Sequence, residues 1–298
     1  MKKALVYFQS GGPTSVINTS LYGVIVEAKK HEEIGGIYGS LNGIEGLLYD
    51  NLIDLRAEDE AQIELLKQTP GTILGTTRHK LPKDLNDEQY QKILATLKKH
   101  NVGYLLVNGG NDSMDTCHKL SVLLKKVNYD CNVIGIPKTI DNDLAFTDHC
   151  LGFPSAAKYV VQSIQDITLD NRCYSKGKVA VIEVMGRNAG WLTAAAATLG
   201  DIRPDKIYLP EEAFDLETFC ADVKEIYDRK KNAVIVVSEG VPVHFPNREV
   251  TFDGFGHAQL GGIAYALADE IKRRYGFPTR PIEFSLMQGF AAGNDAGF

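Results

Sequence analysis

The feature that most restricts the fold of this 298-residue chain is a repeated succession of a short apolar run, a polar turn and a helical stretch. The apolar runs cover residues 4–8, 102–107, 133–136, 179–184 and 233–237, and most of the turns that follow them contain glycine. Apolar strands that alternate with helices are typical of parallel sheets covered on both faces. We therefore predict an α/β fold of two similar Rossmann-like, three-layer domains with mainly parallel sheets.

The segment 144–154 is the expected domain boundary, because the strand–helix rhythm starts again beyond it. We predict one domain over residues 1–150 and a second over residues 151–298, the second opening with a helix over residues 155–169.

Composition excludes several classes of partner. The net charge of −6 comes without a basic stripe, which argues against nucleic acid. No apolar run approaches the roughly 18 residues of a membrane span. The first apolar run is too short for a secretion signal, so we expect a cytoplasmic protein.

The five cysteines are odd in number and form no CxxC pair, and we expect them to be reduced packing residues.

Two glycine-rich turns join a strand to a helix, where ligands bind in such folds. Gly11 and Gly12 let backbone N–H groups approach an anion at a helix N-terminus, although an ordinary tight turn would look the same. Gly110, Asp112 and Ser113 suit a phosphate held through a hard cation such as Mg²⁺. The alternative is that Asp112 or Ser113 simply caps the helix.

Two further segments carry charges suited to phosphate chemistry. Residues 71–80 form a loop that ends in Arg78 and Lys80, which are either phosphate ligands or part of a solvated basic turn. Residues 137–143 place Lys138, Asp141 and Asp143 just after a buried strand, where unpaired charges are costly. Phosphoryl transfer to an alcohol needs a carboxylate to accept the hydroxyl proton and cations to hold the transferring group.

The second half of the chain supplies residues suited to a sugar phosphate. Gly186 and Arg187 follow one buried run and Glu239 follows another. Arg187 is suited to a phosphate and Glu239 to sugar hydroxyls. We also predict that Arg280 lies in a short turn over residues 279–281, where it meets a second phosphate.

Taken together and in this order, from Leu5 to Gln288, these motifs resemble the phosphofructokinase family, and in particular its pyrophosphate-dependent branch. The resemblance implies Mg²⁺-dependent transfer of phosphate to the 1-hydroxyl of fructose 6-phosphate, reversible and usable in glycolysis. It also implies a homodimer or homotetramer with sugar sites built across an interface.

The resemblance also implies roles for individual residues. Asp141 falls at the catalytic base, with Asp143, Lys138 and Arg187 as further catalytic residues. Lys178 aligns with an arginine that reaches a neighbouring subunit's sugar site in bacterial relatives. The donor site comprises Gly11, Gly12, Arg78, Lys80, Gly110, Asp112 and Ser113; the sugar site comprises Thr139, Lys178, Met185, Gly186, Arg187, Glu239 and Arg280; the metal ligands are Asn111 and Asp112.

Asp112 and Lys138 bear on the phosphate donor, because ATP-using relatives usually have glycine at both positions. Asp112 would repel a nucleotide α-phosphate, and Lys138 would neutralise charge on the transferring group, so we predict pyrophosphate as the donor. Asn111 stands where many relatives have a metal-binding acid. An ATP-dependent phosphofructokinase is the nearest alternative.

The C-terminal residues depart from the resemblance. Gly289 stands where the family has an arginine for the 6-phosphate, and the expected return segment to the first domain is missing. We expect exposed apolar surface in that domain, and a catalytically impaired sugar-phosphate-binding protein is a second alternative. A dinucleotide-dependent oxidoreductase is disfavoured because no GxGxxG follows the first strand.

Overall fold

The computed structural model describes residues 2–243, 251–252, 258–259 and 261–290. Within these residues the chain divides into two compact units. Unit 1 runs to Thr139 and also includes Gly289 and Phe290, and unit 2 runs from Ile140 to Gln288. The donor and sugar roles expected of the two halves stay predictions, and most of the atypical tail, from position 291 onwards, lies outside the described residues.

Unit 1 is built around a five-stranded sheet in the order β3-β2-β1-β4-β5. Its strands are β1 (Lys3–Gln9), β2 (Ile34–Ser40), β3 (Leu52–Asp54), β4 (Val102–Gly109) and β5 (Asn132–Pro137). Its helices are α1 (Ile17–Ala28), α2 (Ile44–Leu48), α3 (Glu60–Leu65), α4 (Glu88–Lys99) and α5 (Asn111–Lys126). The neighbouring strands are parallel except for the antiparallel pair of β2 and β3.

Unit 2 contains a four-stranded parallel sheet in the order β11-β6-β8-β7 and a small antiparallel pair of β9 and β10. Its strands are β6 (Val179–Val184), β7 (Lys206–Tyr208), β8 (Ala233–Ser238), β9 (Thr251–Phe252), β10 (Ala258–Gln259) and β11 (Thr279–Glu283). Its helices are α6 (Phe153–Arg172), α7 (Trp191–Ala194), α8 (Leu216–Lys230) and α9 (Ile263–Tyr275). Among the described residues, 3-10 helices cover Ala195–Ile202 and Ser285–Gly289, and the last residue of the second belongs to unit 1.

The central strands are buried on both faces, as the apolar runs predict. In β1, Val6 and Phe8 pack in one apolar cluster, whereas Leu5 and Tyr7 pack in another on the opposite face. The strands β6 and β8 are buried at every position. Each fully buried side chain of this kind contributes about 1.5–3 kcal/mol to stability. The predicted α/β fold with mainly parallel sheets is confirmed.

Among the described residues, unit 1 also has apolar surface that is open to solvent. An open groove of about 470 Å³ lies beside α1 and is lined by apolar side chains of the sheet, including Leu5, Leu106 and Ile136. Ile134 of β5 is 51% exposed.

The cysteines are free thiols with different degrees of burial. Cys150 and Cys220 are buried and Cys117 and Cys131 are half-buried, as packing residues are, whereas Cys173 is exposed. In the part of the chain that the structure describes, no helix combines the length and the apolar character that spanning a bilayer requires.

Candidate active site

Three strand ends of unit 1 meet around Gly11. Gly11 follows β1 with a φ of +80°, which glycine adopts without strain. A methyl group added at Gly11 would lie 3.8 Å from Gly110 N and 3.9 Å from both Ser113 Oγ and Lys138 Nζ. The turns after β1, β4 and β5 therefore converge on one point. We call Gly11, Gly110, Ser113 and Lys138 the glycine–lysine cluster.

The carboxyl end of β4 is closely packed at its last residue, Gly109. A methyl group at Gly109 would lie only 2.2 Å from Ser113 Oγ, so the buried serine hydroxyl occupies the space that a side chain would need. Gly110 is the N-cap of α5 and has no side chain with which to cap the helix. Because Asp112 and Ser113 lie inside α5, neither is its N-cap residue. The first turn of α5 therefore presents backbone N–H groups beside the glycine–lysine cluster.

Lys138 follows β5 directly and is only 5% exposed. Its backbone N donates to Gly109 O at 3.0 Å, and its Nζ donates to the carbonyl oxygen of Gly12. A buried ammonium group is costly unless polar or anionic groups surround it. The glycine–lysine cluster therefore combines a positive charge, a hydroxyl and glycine backbone, which is the chemistry of an anion site.

The loop over residues 71–80 is attached to the same turn. Thr76 Oγ1 donates to Gly11 O at 2.7 Å, and Leu74 N donates to Gln9 Oε1 at 3.2 Å. Arg78 and Lys80 follow these attachments and are exposed. The structure thus brings the backbone of the loop to the turn after β1, and both cations lie in exposed residues.

Two buried amides that the sequence did not single out hold this loop. Gln9 Nε2 donates to Asn18 Oδ1 at 2.9 Å, and Asn18 Oδ1 also accepts from Ile73 N at 2.9 Å. Asn18 Nδ2 donates to Thr69 O at 2.8 Å. Both amides are fully buried, so these bonds are protected from water. The sequence offers one signal for Gln9 and Asn18: each is a polar residue at a position where the strand or helix pattern calls for an apolar one.

The segment with the two predicted acids belongs to both units, because Thr139 ends unit 1 and Ile140 begins unit 2. Lys138 is therefore part of unit 1, whereas Asp141 and Asp143 are part of unit 2. Asp141 is half-buried and Asp143 is exposed.

In unit 2, Asp141 lies close enough to Glu239 to affect its ionisation. Burial raises the pKa of Glu239 to about 7, against the lowering effect of a hydrogen bond from Gly186 N at 3.3 Å. The negative charges of Asp141 and Glu183 raise the pKa further, and the Arg187 guanidinium lowers it. Four predicted residues, Asp141, Gly186, Arg187 and Glu239, are thus brought together.

The loop after β6 is fixed by two buried side chains. Gln288 Oε1 accepts from Met185 N at 3.2 Å, and Ser238 Oγ donates to Gly186 O at 2.5 Å. Gly186 has a φ of +143°, and a methyl group there would lie 2.6 Å from Ala189 O, so glycine is required. The loop itself could be predicted from the sequence, but Ser238 and Gln288, which hold its backbone in place, were not among the predicted residues.

Lys178 and Arg280 lie at the other end of the same sheet. Lys178 directly precedes β6, and Arg280 of β11 pairs with Ala180. Met185, which directly follows β6, is about 16 Å beyond Ala180 and still farther beyond Lys178, at roughly 3.3 Å per residue. The structure therefore does not bring Lys178 and Arg280 to the Asp141–Glu239 cluster of their own chain.

The predicted turn at residues 279–281 is wrong, because these residues belong to β11. Pro281 made the segment resemble a turn. However, β11 is the edge strand of its sheet, and an edge strand tolerates proline because one side of it needs no ladder hydrogen bond.

The described residues contain no group of three or more His, Cys, Asp or Glu side chains arranged to hold a metal ion. Asn111 and Asp112 open α5 beside the glycine–lysine cluster and offer one amide oxygen and one carboxylate. Mg²⁺ is commonly held by one or two carboxylates together with substrate phosphates and water. This donor set therefore fits a Mg²⁺ ion that arrives with a phosphate ligand.

The fold and these clusters define a class of protein: a two-unit α/β protein with anion-binding chemistry at its strand ends. Residues 4–291 match the family described as Phosphofructokinase, and the chain belongs to this family. The predicted family is confirmed.

Among its relatives, the pyrophosphate–fructose 6-phosphate 1-phosphotransferase of Xanthomonas campestris pv. campestris (strain B100) is 44% identical over 284 residues, which cover 92% of this chain and 67% of the relative. The protein of the same name from Rhodospirillum rubrum is 42% identical over 280 residues, which cover 90% of this chain and 67% of that relative. The crystal structure of the pyrophosphate-dependent phosphofructokinase from Marinobacter aquaeolei superposes with a TM-score of 0.84 at 37% identity, covering 97% of this chain and 70% of that one.

Proposed function

We propose that this chain transfers a phosphoryl group from pyrophosphate to the 1-hydroxyl of fructose 6-phosphate, giving fructose 1,6-bisphosphate and inorganic phosphate. The observation that carries the proposal is the glycine–lysine cluster, in which a buried ammonium, a serine hydroxyl and two glycines meet at three strand ends. The names of the relatives support the choice of substrates.

Unit 1 binds the donor in this proposal. Gly11, Gly12 and Gly110 allow the backbone to approach the phosphates, and the Ser113 hydroxyl donates to a phosphate oxygen. Lys138 balances the charge of the transferring group from its buried position. Arg78 and Lys80, which are exposed at the end of the attached loop, contact the outer phosphate oxygens.

Unit 2 binds the acceptor and carries the base. Arg187 pairs with phosphate oxygens, and Glu239 accepts hydrogen bonds from sugar hydroxyls. Met185 and Gly186 complete the sugar contacts of unit 2, and Thr139, which ends unit 1, is a further proposed sugar contact. The hydroxyl oxygen on C1 attacks phosphorus while the bond from phosphorus to the bridging oxygen of pyrophosphate breaks. The hydroxyl proton passes to the Asp141 carboxylate, assisted by Asp143, and inorganic phosphate leaves with the bonding electron pair.

The proposed cofactor is Mg²⁺, with Asn111 and Asp112 as its protein ligands. When bound, the ion supplies positive charge to the phosphate oxygens in the transition state. The protein's own contribution is to orient the phosphates and keep Lys138 close to them.

The choice of pyrophosphate over ATP rests on Asp112 and Lys138. A carboxylate in the first turn of α5 repels a nucleotide α-phosphate, which pyrophosphate lacks. Lys138 adds positive charge where the transferred group is bound. Because pyrophosphate is a low-energy donor, the reaction runs in both directions.

We also propose a homodimer or homotetramer in which Lys178 and Arg280 serve a neighbouring subunit's sugar site. The proposed location is the cytoplasm, which suits glycolytic substrates.

A second candidate, sugar-phosphate binding without turnover, is favoured by Gly289. The family expects an arginine for the 6-phosphate at this position. A methyl group at Gly289 would lie 3.3 Å from Pro13 O, so a longer side chain there needs the surrounding backbone to shift. Weak binding of fructose 6-phosphate without catalysis is the result that this second candidate predicts.

The reverse reaction tests the proposal. Purified protein with fructose 1,6-bisphosphate, inorganic phosphate and Mg²⁺ should release fructose 6-phosphate and pyrophosphate without any nucleotide. An Asp141→Asn variant is the matched control and should release neither product. A reverse reaction that requires ADP instead of phosphate would identify the ATP-dependent alternative, and binding of sugar phosphate without product in either direction would favour the second candidate.

A further inference from the structure

Asn142 stands between the two aspartates of the proposed catalytic segment and has an unusual backbone conformation. Its φ is +56°, in the left-handed region that non-glycine residues seldom adopt. Asparagine is among the few side chains that tolerate this region, at a cost in strain. Asn142 is nevertheless only 8% exposed, although Asp143 beside it is exposed.

The oxygen and the nitrogen of the Asn142 side-chain amide both form hydrogen bonds with the loop that follows. Its Oδ1 accepts from Cys150 N at 2.8 Å, and its Nδ2 donates to Asp148 O at 3.1 Å. The side chain thereby closes the loop over residues 142–150. Cys150 is 1% exposed, so the bond to its backbone is protected from water.

The loop closed by Asn142 leads directly into a long helix. Phe153 N donates to Cys150 O at 3.1 Å, and Phe153 is the first residue of α6. The turn that holds the aspartates is therefore connected through Cys150 to an element of 20 residues. The φ of Asn142 fixes the relative directions of the residues on either side of it.

The buried thiol of Cys150 is influenced electrostatically by both aspartates. Burial raises the pKa of Cys150, and the negative charges of Asp143 and Asp141 raise it further.

We propose that Asn142 is a positioning residue, whose side-chain amide holds the left-handed turn between the aspartates and so aims Asp141 at the acceptor hydroxyl. The inference rests on the proposed function for the role of Asp141. Asn142 touches neither substrate in this account and acts through its neighbours. A misplacement of about 1 Å in a catalytic group costs on the order of 100-fold in rate, so the effect should appear in turnover.

The variant that isolates this role is Asn142→Gly, because glycine keeps the positive φ and removes both hydrogen bonds. We expect kcat to fall roughly 10- to 100-fold, with the KM values for pyrophosphate and fructose 6-phosphate within about threefold of the wild-type values. Asn142→Asp keeps the acceptor for Cys150 N and loses the donor to Asp148 O. We expect it to retain an intermediate kcat, with the acidic limb of its pH profile moved to higher pH by the added negative charge.

Asn128→Gly is the matched control. Asn128 also has a positive φ, of +51°, and lies just beyond the carboxyl end of α5, the opposite end from the glycine–lysine cluster. Its replacement should leave kcat unchanged.

Alkylation of Cys150 gives a readout that is independent of turnover. Peptide-resolved alkylation should be at least about tenfold faster in Asn142→Gly than in wild type, because local opening exposes buried groups, while buried Cys220 serves as the internal standard.

Two results would overturn the inference. One is a kcat within twofold of wild type in Asn142→Gly. The other is a parallel change of kcat, both KM values and thermal stability, which would assign Asn142 a general structural role. If the wild-type chain shows no turnover, the proposed function fails, and an unchanged rate of Cys150 alkylation in Asn142→Gly would then still refute the turn-holding role.

Discussion

The buried ammonium group of Lys138 donates a hydrogen bond to the backbone carbonyl oxygen of Gly12. This bond joins the turn after β5 to the turn after β1, two strands that are not neighbours in the sheet. A positive charge in this position is held away from water and is directed at a glycine-rich turn. In the proposed reaction, the charge meets the transferring phosphoryl group without first losing a large hydration shell.

Replacing Asp112 and Lys138 together by glycine should change the donor preference. The double variant removes the repulsion of an α-phosphate and the charge that favours the transferred group. We expect the ratio of kcat/KM for ATP to that for pyrophosphate to rise by at least about tenfold, or roughly 1.4 kcal/mol. Steady-state assays with both donors check this, and an unchanged ratio would remove these two residues from donor selection.

Gly11→Ala should weaken pyrophosphate binding, because the methyl group enters the centre of the glycine–lysine cluster. The φ of +80° adds a strain of about 1 kcal/mol for alanine. We expect the KM for pyrophosphate to rise roughly tenfold. Gly23→Ala in α1 is the control, because a methyl group there meets no atom within 4 Å, and it should leave this KM unchanged. Equal KM values in both variants would contradict the cluster as the donor site.

Asp141→Ala should lower kcat by roughly 10²–10⁴-fold, the range for a lost general base. Binding of fructose 6-phosphate should survive, since Arg187 and Glu239 remain. Stopped assays for kcat combined with calorimetric titration of fructose 6-phosphate separate the two effects. Turnover close to that of wild type would show that another group accepts the proton.

Glu239 should make the folded state less stable as the pH rises. Its pKa is about 7 in the folded chain and lower in the unfolded chain, so between these values the folded state binds more protons. The stability linked to this proton is present at acidic pH and is lost as the pH rises through about 7. Glu239→Gln keeps an acceptor for Gly186 N and avoids the ionisation. Its free energy of unfolding in urea, relative to wild type, should therefore be higher at pH 8 than at pH 5. A pH-independent difference would show that Glu239 titrates normally.

The buried strands and the positions of the glycine turns could be predicted because both depend on local signals. Apolar runs such as residues 179–184 identify strands covered on both faces. Strand-end glycines such as Gly11 identify where a backbone can approach a ligand. The convergence of three such turns follows from the parallel order of β1, β4 and β5.

Other parts of the site depend on contacts that a linear pattern does not specify. Gln9 and Asn18 bond to a loop more than 50 positions away in the sequence, and nothing local to them indicates that partner. The edge position of β11 made Pro281 compatible with a strand, and edge position is a property of the whole sheet. Likewise, α7 is followed at once by a 3-10 helix over Ala195–Ile202, with a kink at Gly200 that has a φ of +56°.

The decisive experiment measures the formation of fructose 1,6-bisphosphate from fructose 6-phosphate in the presence of Mg²⁺, with pyrophosphate and ATP supplied in parallel. We predict turnover with pyrophosphate and little or none with ATP. Turnover with ATP alone would contradict the roles given to Asp112 and Lys138, and a folded protein inactive with both donors would contradict the proposed phosphotransferase activity itself.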